Sequence, residues 1–223
     1  MSESAVSVRG AVKRFREVRA LDGVSVEFER GRIHGLIGRN GSGKTVLLKC
    51  ICGFMSLNEG EIDVAGKRVV PTRPQDVGLI IESPGFIGGY SGMKNLELLA
   101  AVRGRVGRDE LRAAMRAVGL EPGMRKPVRK YSLGMRQRLG IAQAIMEDPD
   151  ILLLDEPMNG LDNAGVRDMR NLFKELRARG KTIILASHNP LDIEELCDTV
   201  CEMDAGRLTR HGNQLYIFKS RKE

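Results

Sequence analysis

The sequence predicts an α/β fold: a mainly parallel sheet with an N-terminal antiparallel β region and an inserted helical lobe. Three observations carry this. Four compact apolar runs each stop at polar or Gly/Pro residues, as buried parallel strands do. Two short runs near the N-terminus alternate apolar and polar residues, as half-exposed antiparallel strands do. Between the second and third compact runs lies a long stretch with helical spacing.

In chain order, Val6 to Arg9 and Val24 to Phe28 are the alternating runs. The compact runs are Ile33 to Ile37, Val77 to Ile81, Ile151 to Leu154 and Thr182 to Ala186. From Met93 to Met146 apolar residues recur at helical intervals, as in Leu96, Leu99 and Ala100, or Leu111, Met115 and Val118. Asn163 to Arg179 is a further amphipathic helix, with Asp162 as N-cap and Gly180 as its stop. The expected organisation is a single unit over residues 1–223, with core segments 1–82 and 147–223 and a helical lobe over about 83–146.

Composition narrows the function classes. With 42% hydrophobic and 29% charged residues, the 223-residue chain has the make-up of a globular protein with a packed core. The longest run free of Lys, Arg, Asp and Glu, Ser83 to Met93, is too short and too rich in Gly and Pro to span a bilayer. The opening MSESAVSVRG has no apolar signal region, so a cytoplasmic location with four reduced cysteines is expected. The spacing of Cys50, Cys52, Cys197 and Cys201 does not resemble a zinc site, and packing is their expected role. The net charge of +7 is uneven: Lys94 to Arg138 holds twelve Lys or Arg against four Asp or Glu. That is either a solvated helical surface or a lobe lying near anionic lipid or an acidic partner. Nucleic acid is not expected, because three Tyr, six Phe and no Trp leave little to stack on bases and no reading motif is present.

Gly38-Arg39-Asn40-Gly41-Ser42-Gly43-Lys44-Thr45 matches G-x-x-x-x-G-K-[ST], after a predicted strand and before the apolar run Val46 to Cys52. In that context the glycines let backbone N–H groups turn toward a phosphate, and the following helix adds the positive end of its dipole. Lys44 supplies a mobile cation for the β- and γ-phosphates, and the Thr45 hydroxyl can ligate Mg²⁺. The core is therefore expected to be a P-loop NTPase that binds ATP with Mg²⁺, with nucleotide contacts at Gly38, Asn40, Gly41, Ser42, Gly43, Lys44, Thr45 and Val46.

A phosphate loop needs an acid for its metal, and Ile151-Leu152-Leu153-Leu154-Asp155-Glu156 ends in two. Asp155 is the expected metal partner, and Glu156 the general base that polarises the attacking water. A later compact run ends in Ser187-His188, which puts a histidine at the carboxyl edge of the sheet, where ligands bind in open α/β folds. His188 is read as a γ-phosphate sensor.

Tyr131-Ser132-Leu133-Gly134-Met135-Arg136-Gln137-Arg138 resembles the LSGGQ signature of the nucleotide-binding subunits of ABC transporters, with Leu133 and Met135 departing from the consensus. Asn159-Gly160-Leu161-Asp162 resembles that family's D-loop, and the resemblance covers nearly the whole chain. It implies that Ser132, Gly134 and Met135 reach ATP across a dimer; Ser132 as a helix N-cap is an alternative that can hold at the same time. It implies that Asp162 lies at the dimer interface and that Phe15 stacks on adenine, with a core position as the other reading of Phe15. Where the family usually has a Gln contacting Mg²⁺ and the attacking water, this chain has Glu82. Glu82 together with Tyr-Ser-Leu-Gly-Met resembles the bacterial exporters that confer resistance or self-immunity to bacitracin-like and lantibiotic peptides.

The resemblance thus implies an ATPase motor in which a homodimer or paired cassette drives a separate membrane permease at the inner face of the membrane. Glu156, His188, Lys44 and Glu82 would carry catalysis, and Thr45, Glu82 and Asp155 the metal. Two other readings stand beside it: an ABC ATPase outside transport, acting on nucleic acid or ribosomes, and a low-turnover module that senses nucleotide.

Overall fold

A computed structural model describes residues 4–71, 73, 75–82 and 84–211, without the side chain of His211. Ser83 and the two ends of the expected unit, residues 1–3 and 212–223, lie outside the described residues.

The strands β1 (Ser4–Phe15) and β2 (Val18–Glu29) pair antiparallel, and β3 (Ile33–Ile37) leads into helix α1 (Lys44–Ile51). Next come β4 (Glu59–Val64), β5 (Lys67–Arg68) and β6 (Gly78–Ile80). Helices α2 (Gly92–Arg103), α3 (Arg108–Ala117) and α4 (Leu133–Ile145) follow, with a 3-10 turn at Val128–Lys130. The chain then alternates through β7 (Ile151–Asp155), α5 (Asn163–Ala178), β8 (Thr182–Ala186), α6 (Pro190–Leu196), β9 (Thr199–Asp204) and β10 (Arg207–His211).

One sheet has the order β2-β1-β4-β5, with every pair antiparallel. The other runs β10-β9-β3-β8-β7-β6, parallel throughout except for the antiparallel edge strand β10. All four compact runs lie side by side in it, as their composition requires. The sequence reading missed β9 and β10, where Glu202 and the arginines Arg207 and Arg210 break up the apolar pattern. It also cut β1 and β2 short. Both are 12 residues long, and their register shifts near Gly10 let polar stretches such as Lys13–Arg14 stay paired.

The parallel sheet separates two hydrophobic cores, because successive strand residues point to opposite faces. Leu152, Leu154, Ile183 and Leu185 pack with Phe173 and Leu176 of α5 and with Leu96, Met115 and Leu139 of the helices between β6 and β7. Ile151, Leu153 and Ile184 face the other way, onto Leu47, Leu48 and Ile51 of α1 and onto Val6, Val24 and Phe28 of the antiparallel sheet. The two layers thereby fix α1, and with it the residues before it, against the carboxyl ends of β3, β7 and β8.

Cys50, Cys52, Cys197 and Cys201 are all buried, and burial raises each thiol pKa, for Cys50 and Cys201 to about 11. Cys197 fills the space that Gly35 leaves open: a Cβ on Gly35 would stand 2.9 Å from its Sγ.

Candidate functional site

The loop from β3 to α1 is shaped by two close approaches that exclude any side chain. Gly38 sits at φ +148°, and a Cβ there would come within 2.2 Å of the Met203 carbonyl oxygen; Gly43 sits at φ +109°, and a Cβ would come within 2.4 Å of the Ala20 carbonyl oxygen. Gly43 is the N-cap of α1, and no side chain caps that helix. The free N–H groups of its first turn and its dipole are therefore left for an anion.

Lys44 is buried, and its Nζ donates to Gly38 O at 2.7 Å and Arg39 O at 3.1 Å, which bends it back over the loop. Ser42 Oγ is buried with no hydrogen-bond partner among the described residues, an orphan that a phosphate oxygen would satisfy. Asn40, Gly41, Ser42, Gly43, Lys44, Thr45, Val46, Asp155 and Glu156 line one open cavity of about 330 Å³. Gly38 lines a neighbouring cavity with Arg39 and His188.

Thr45 Oγ1 donates to Asp155 Oδ2 at 2.6 Å, which joins the start of α1 to the end of β7. A hydroxyl and a carboxylate are hard oxygen donors suited to Mg²⁺, so this pair fits the metal that a triphosphate carries. Glu156, the next residue, adopts φ +50°, and its N–H donates to Ala186 O at 2.9 Å. A left-handed conformation costs a residue with a Cβ about 1–2 kcal/mol, and here it turns consecutive acids in different directions. His188 Nδ1 lies 2.8 Å from Glu156 Oε1, where the carboxylate can only accept.

Glu82 also has positive φ, +60°, and its Oε1 lies 2.5 Å from Lys49 Nζ of α1, a pairing that sequence reading did not foresee. Phe15 is 43% exposed, which removes the core reading; Lys13 Nζ sits 5.3 Å from its ring centroid. Ser132 is the N-cap of α4, accepting from Met135 N at 3.2 Å, and is itself exposed. Asp162 caps α5 by accepting from Gly165 N at 2.8 Å. The signature and the D-loop touch within one chain: a Cβ on Gly134 would lie 2.9 Å from Gly160 O, and Leu133 closes over Gly160.

Two further features hold the site in place. Buried Gln137 of α4 donates through Nε2 to Pro157 O at 3.0 Å and to Glu156 O at 3.4 Å, which ties the signature helix to the acids. Beneath the histidine, buried Asp192 accepts from Arg170 Nη2 at 2.6 Å and from Ser187 Oγ at 3.3 Å, and Ser187 Oγ accepts from Asn189 N at 3.1 Å. The turn that carries His188 thus rests on a buried ion pair between α5 and α6.

The ABC transporter family model matches residues 21–159, from β2 through the phosphate loop and signature to the D-loop. The chain belongs to the ABC transporter family. Among related proteins it is 40% identical over 213 residues to an uncharacterized ABC transporter ATP-binding protein, YybJ, of Bacillus subtilis (strain 168), covering 95% of this chain and 98% of YybJ. It is 36% identical to the bacitracin transport ATP-binding protein BcrA of Enterococcus faecalis, covering 99% of this chain and 73% of BcrA. It is 30% identical to the lantibiotic transport ATP-binding protein SrtF of Streptococcus pyogenes, covering 91% and 88%. Among solved structures, cbiO1 from Clostridium perfringens, part of the ABC transporter complex cbiONQ, matches with TM-score 0.84 at 26% identity, over 99% of this chain and 92% of that one. This ABC protein is an ATP-binding subunit and an ATPase.

Proposed function

We propose that two copies of this chain close around two ATP molecules, each held between one phosphate loop and the opposing Ser132–Met135, and that the cycle of closure and opening drives a separate membrane permease. The observation that carries this reading is one cavity lined by Lys44, Thr45, Asp155 and Glu156, in which Thr45 pairs with Asp155 and from which Glu156 reaches His188 of the neighbouring cavity. Backbone N–H groups, Lys44 and Ser42 bind and orient the phosphates. Thr45 and Asp155, with Glu82 nearby, would hold Mg²⁺, which when bound neutralises charge on the phosphate oxygens. Glu156 accepts a proton from water, whose oxygen attacks the γ-phosphorus as the bond to the β–γ bridging oxygen breaks. His188 orients Glu156 and senses the γ-phosphate, and exposed Phe15 stacks on adenine.

The permease is assigned to another chain, with this one at the inner face of the membrane; no helix among the described residues is long and apolar enough to cross a membrane. The surface beside residues 82–93 is the docking region, and its exposed Ile87 and Tyr90 support that choice. The core over 1–82 and 147–223 acts as the nucleotide unit, and the lobe over about 83–146 carries the contact to the permease. Peptide antibiotics of the bacitracin and lantibiotic type are the proposed cargo, supported by the names of BcrA and SrtF.

Hydrolysis by wild type and Glu156→Gln tests the motor. Slow turnover in wild type, abolished in the variant while ATP-bound dimers accumulate by light scattering, is the expected result. Equal inactivity of both, with no ATP-dependent dimer in either, removes the motor and leaves a nucleotide-sensing module.

A further inference from the structure

We infer that Lys49 is a positioning residue whose charge offsets the extra carboxylate that Glu82 brings to the nucleotide site. The inference rests on the ATP site described above and adds a residue that no motif marks. Lys49 Nζ and Glu82 Oε1 are 2.5 Å apart. Lys49 lies four residues after Thr45 on α1, so both project from the same face of the helix, about 6 Å apart along its axis. Thr45 meets Asp155 on that face. Ile80 of β6 pairs with Leu154 of β7, so the chain leaves β6 toward Glu82 beside the point where β7 delivers Asp155 and Glu156. Glu82, Asp155 and Glu156 therefore follow the carboxyl ends of two neighbouring strands, at a site that must receive a polyanionic nucleotide, and Lys49 is the cation paired with the first of them.

The pair also fixes where the Glu82 carboxylate points. Glu82 is held at φ +60°, and its side chain is 66% exposed; without a partner it would be free to swing. Lys49 is less exposed, at 26%, and sits in the last turn of α1, whose other residues are clamped by the core. Its ammonium is thus the fixed member and Glu82 the oriented one. A neutral residue at position 82 would need no such counter-charge. The effect of Lys49 must therefore depend on the charge at position 82, which distinguishes it from a lysine that merely packs or attracts nucleotide at long range.

The test is a double-mutant cycle with Lys49→Met and Glu82→Gln, read by equilibrium binding of a fluorescent ATP analogue with and without Mg²⁺ and by kcat and KM separately. With Glu82 present, Lys49→Met is expected to weaken binding and raise KM by roughly 5- to 10-fold, the size of one lost partly solvated counter-charge. In the Glu82→Gln background the same change should cost less than about 2-fold, and Lys49→Arg should restore most of the binding. Thermal melting of each variant and the parallel variant Lys49→Gln separate this from misfolding. Equal losses in both backgrounds, or no loss in either, would overturn the role of Lys49 and leave the ATP site standing. Absence of nucleotide binding by wild type would instead remove the site itself.

Discussion

Lys44 holds two neutral carbonyls, Gly38 O and Arg39 O, and an arriving phosphate offers it a charged acceptor instead. Charge-assisted contacts contribute about 1.5–3 kcal/mol, so Lys44→Ala should weaken ATP binding by roughly 10- to 100-fold. Isothermal calorimetry would measure it, and unchanged affinity would contradict the assignment. The place of Lys44 in the loop was legible in the sequence because the loop is encoded within eight consecutive residues. The placement of Asp155, Glu156 and His188 was legible for a related reason: each ends or closely follows a short apolar strand, and strand ends in a parallel sheet converge. Gln137, Lys49 and Asp192 were not. Gln137 meets Pro157 across 20 positions, Lys49 meets Glu82 across 33, and Arg170 meets Asp192 across 22. No spacing rule reaches that far, and each contact exists only once the elements have packed.

Among the elements, the packing of α5 against α6 shows how a buried charge can hold a loop. Arg170 and Asp192 are both buried, and Arg170 Nη1 also reaches Glu195 at 2.6 Å. Arg170→Met would leave the Asp192 carboxylate uncompensated and should destabilise the fold by roughly 3–5 kcal/mol. For a chain of this size that lowers the melting temperature by about 6–20 °C. Arg170→Met combined with Asp192→Leu should recover part of the loss. Calorimetry of the three variants would decide, and a single variant as stable as wild type would refute the role given to the pair. Element boundaries were legible where apolar runs are pure, as for β3 and β8, whose limits the sequence marks to the residue. They blurred where strands carry charge on one side. In β1, Arg14 lies beyond the predicted run and reaches across to Glu59, so residues that look like a loop are the ladder's own cross-strand pairs.

For the protein as an assembly, the proposal makes one chain's signature complete the other chain's site. Ser132 is exposed and makes its N-cap bond to Met135 N within its own helix, which leaves its outer side open to a partner. Ser132→Arg should keep the affinity for ATP within about 2-fold while hydrolysis and ATP-dependent dimers are lost, since closure depends on contacts made only across the interface. Nucleotide binding and light scattering on the same samples would check both halves. Retained hydrolysis at full rate would show that each subunit works alone. The α/β architecture could be read ahead of the coordinates, since apolar periodicity specifies layers. The contact between signature and D-loop within one chain could not, since it depends on how Leu133 folds down over Gly160.

That small contact and the amide of Gln137 join the same two segments at opposite ends of one helical turn. The Gln137 amide fastens that turn of α4 to the main-chain carbonyls of Glu156 and Pro157. On the proposed reading, a partner that displaces the start of α4 at Ser132 would pull, through that amide, on the main chain that carries Glu156. A neighbour arriving on one active centre would thereby adjust the timing of the next.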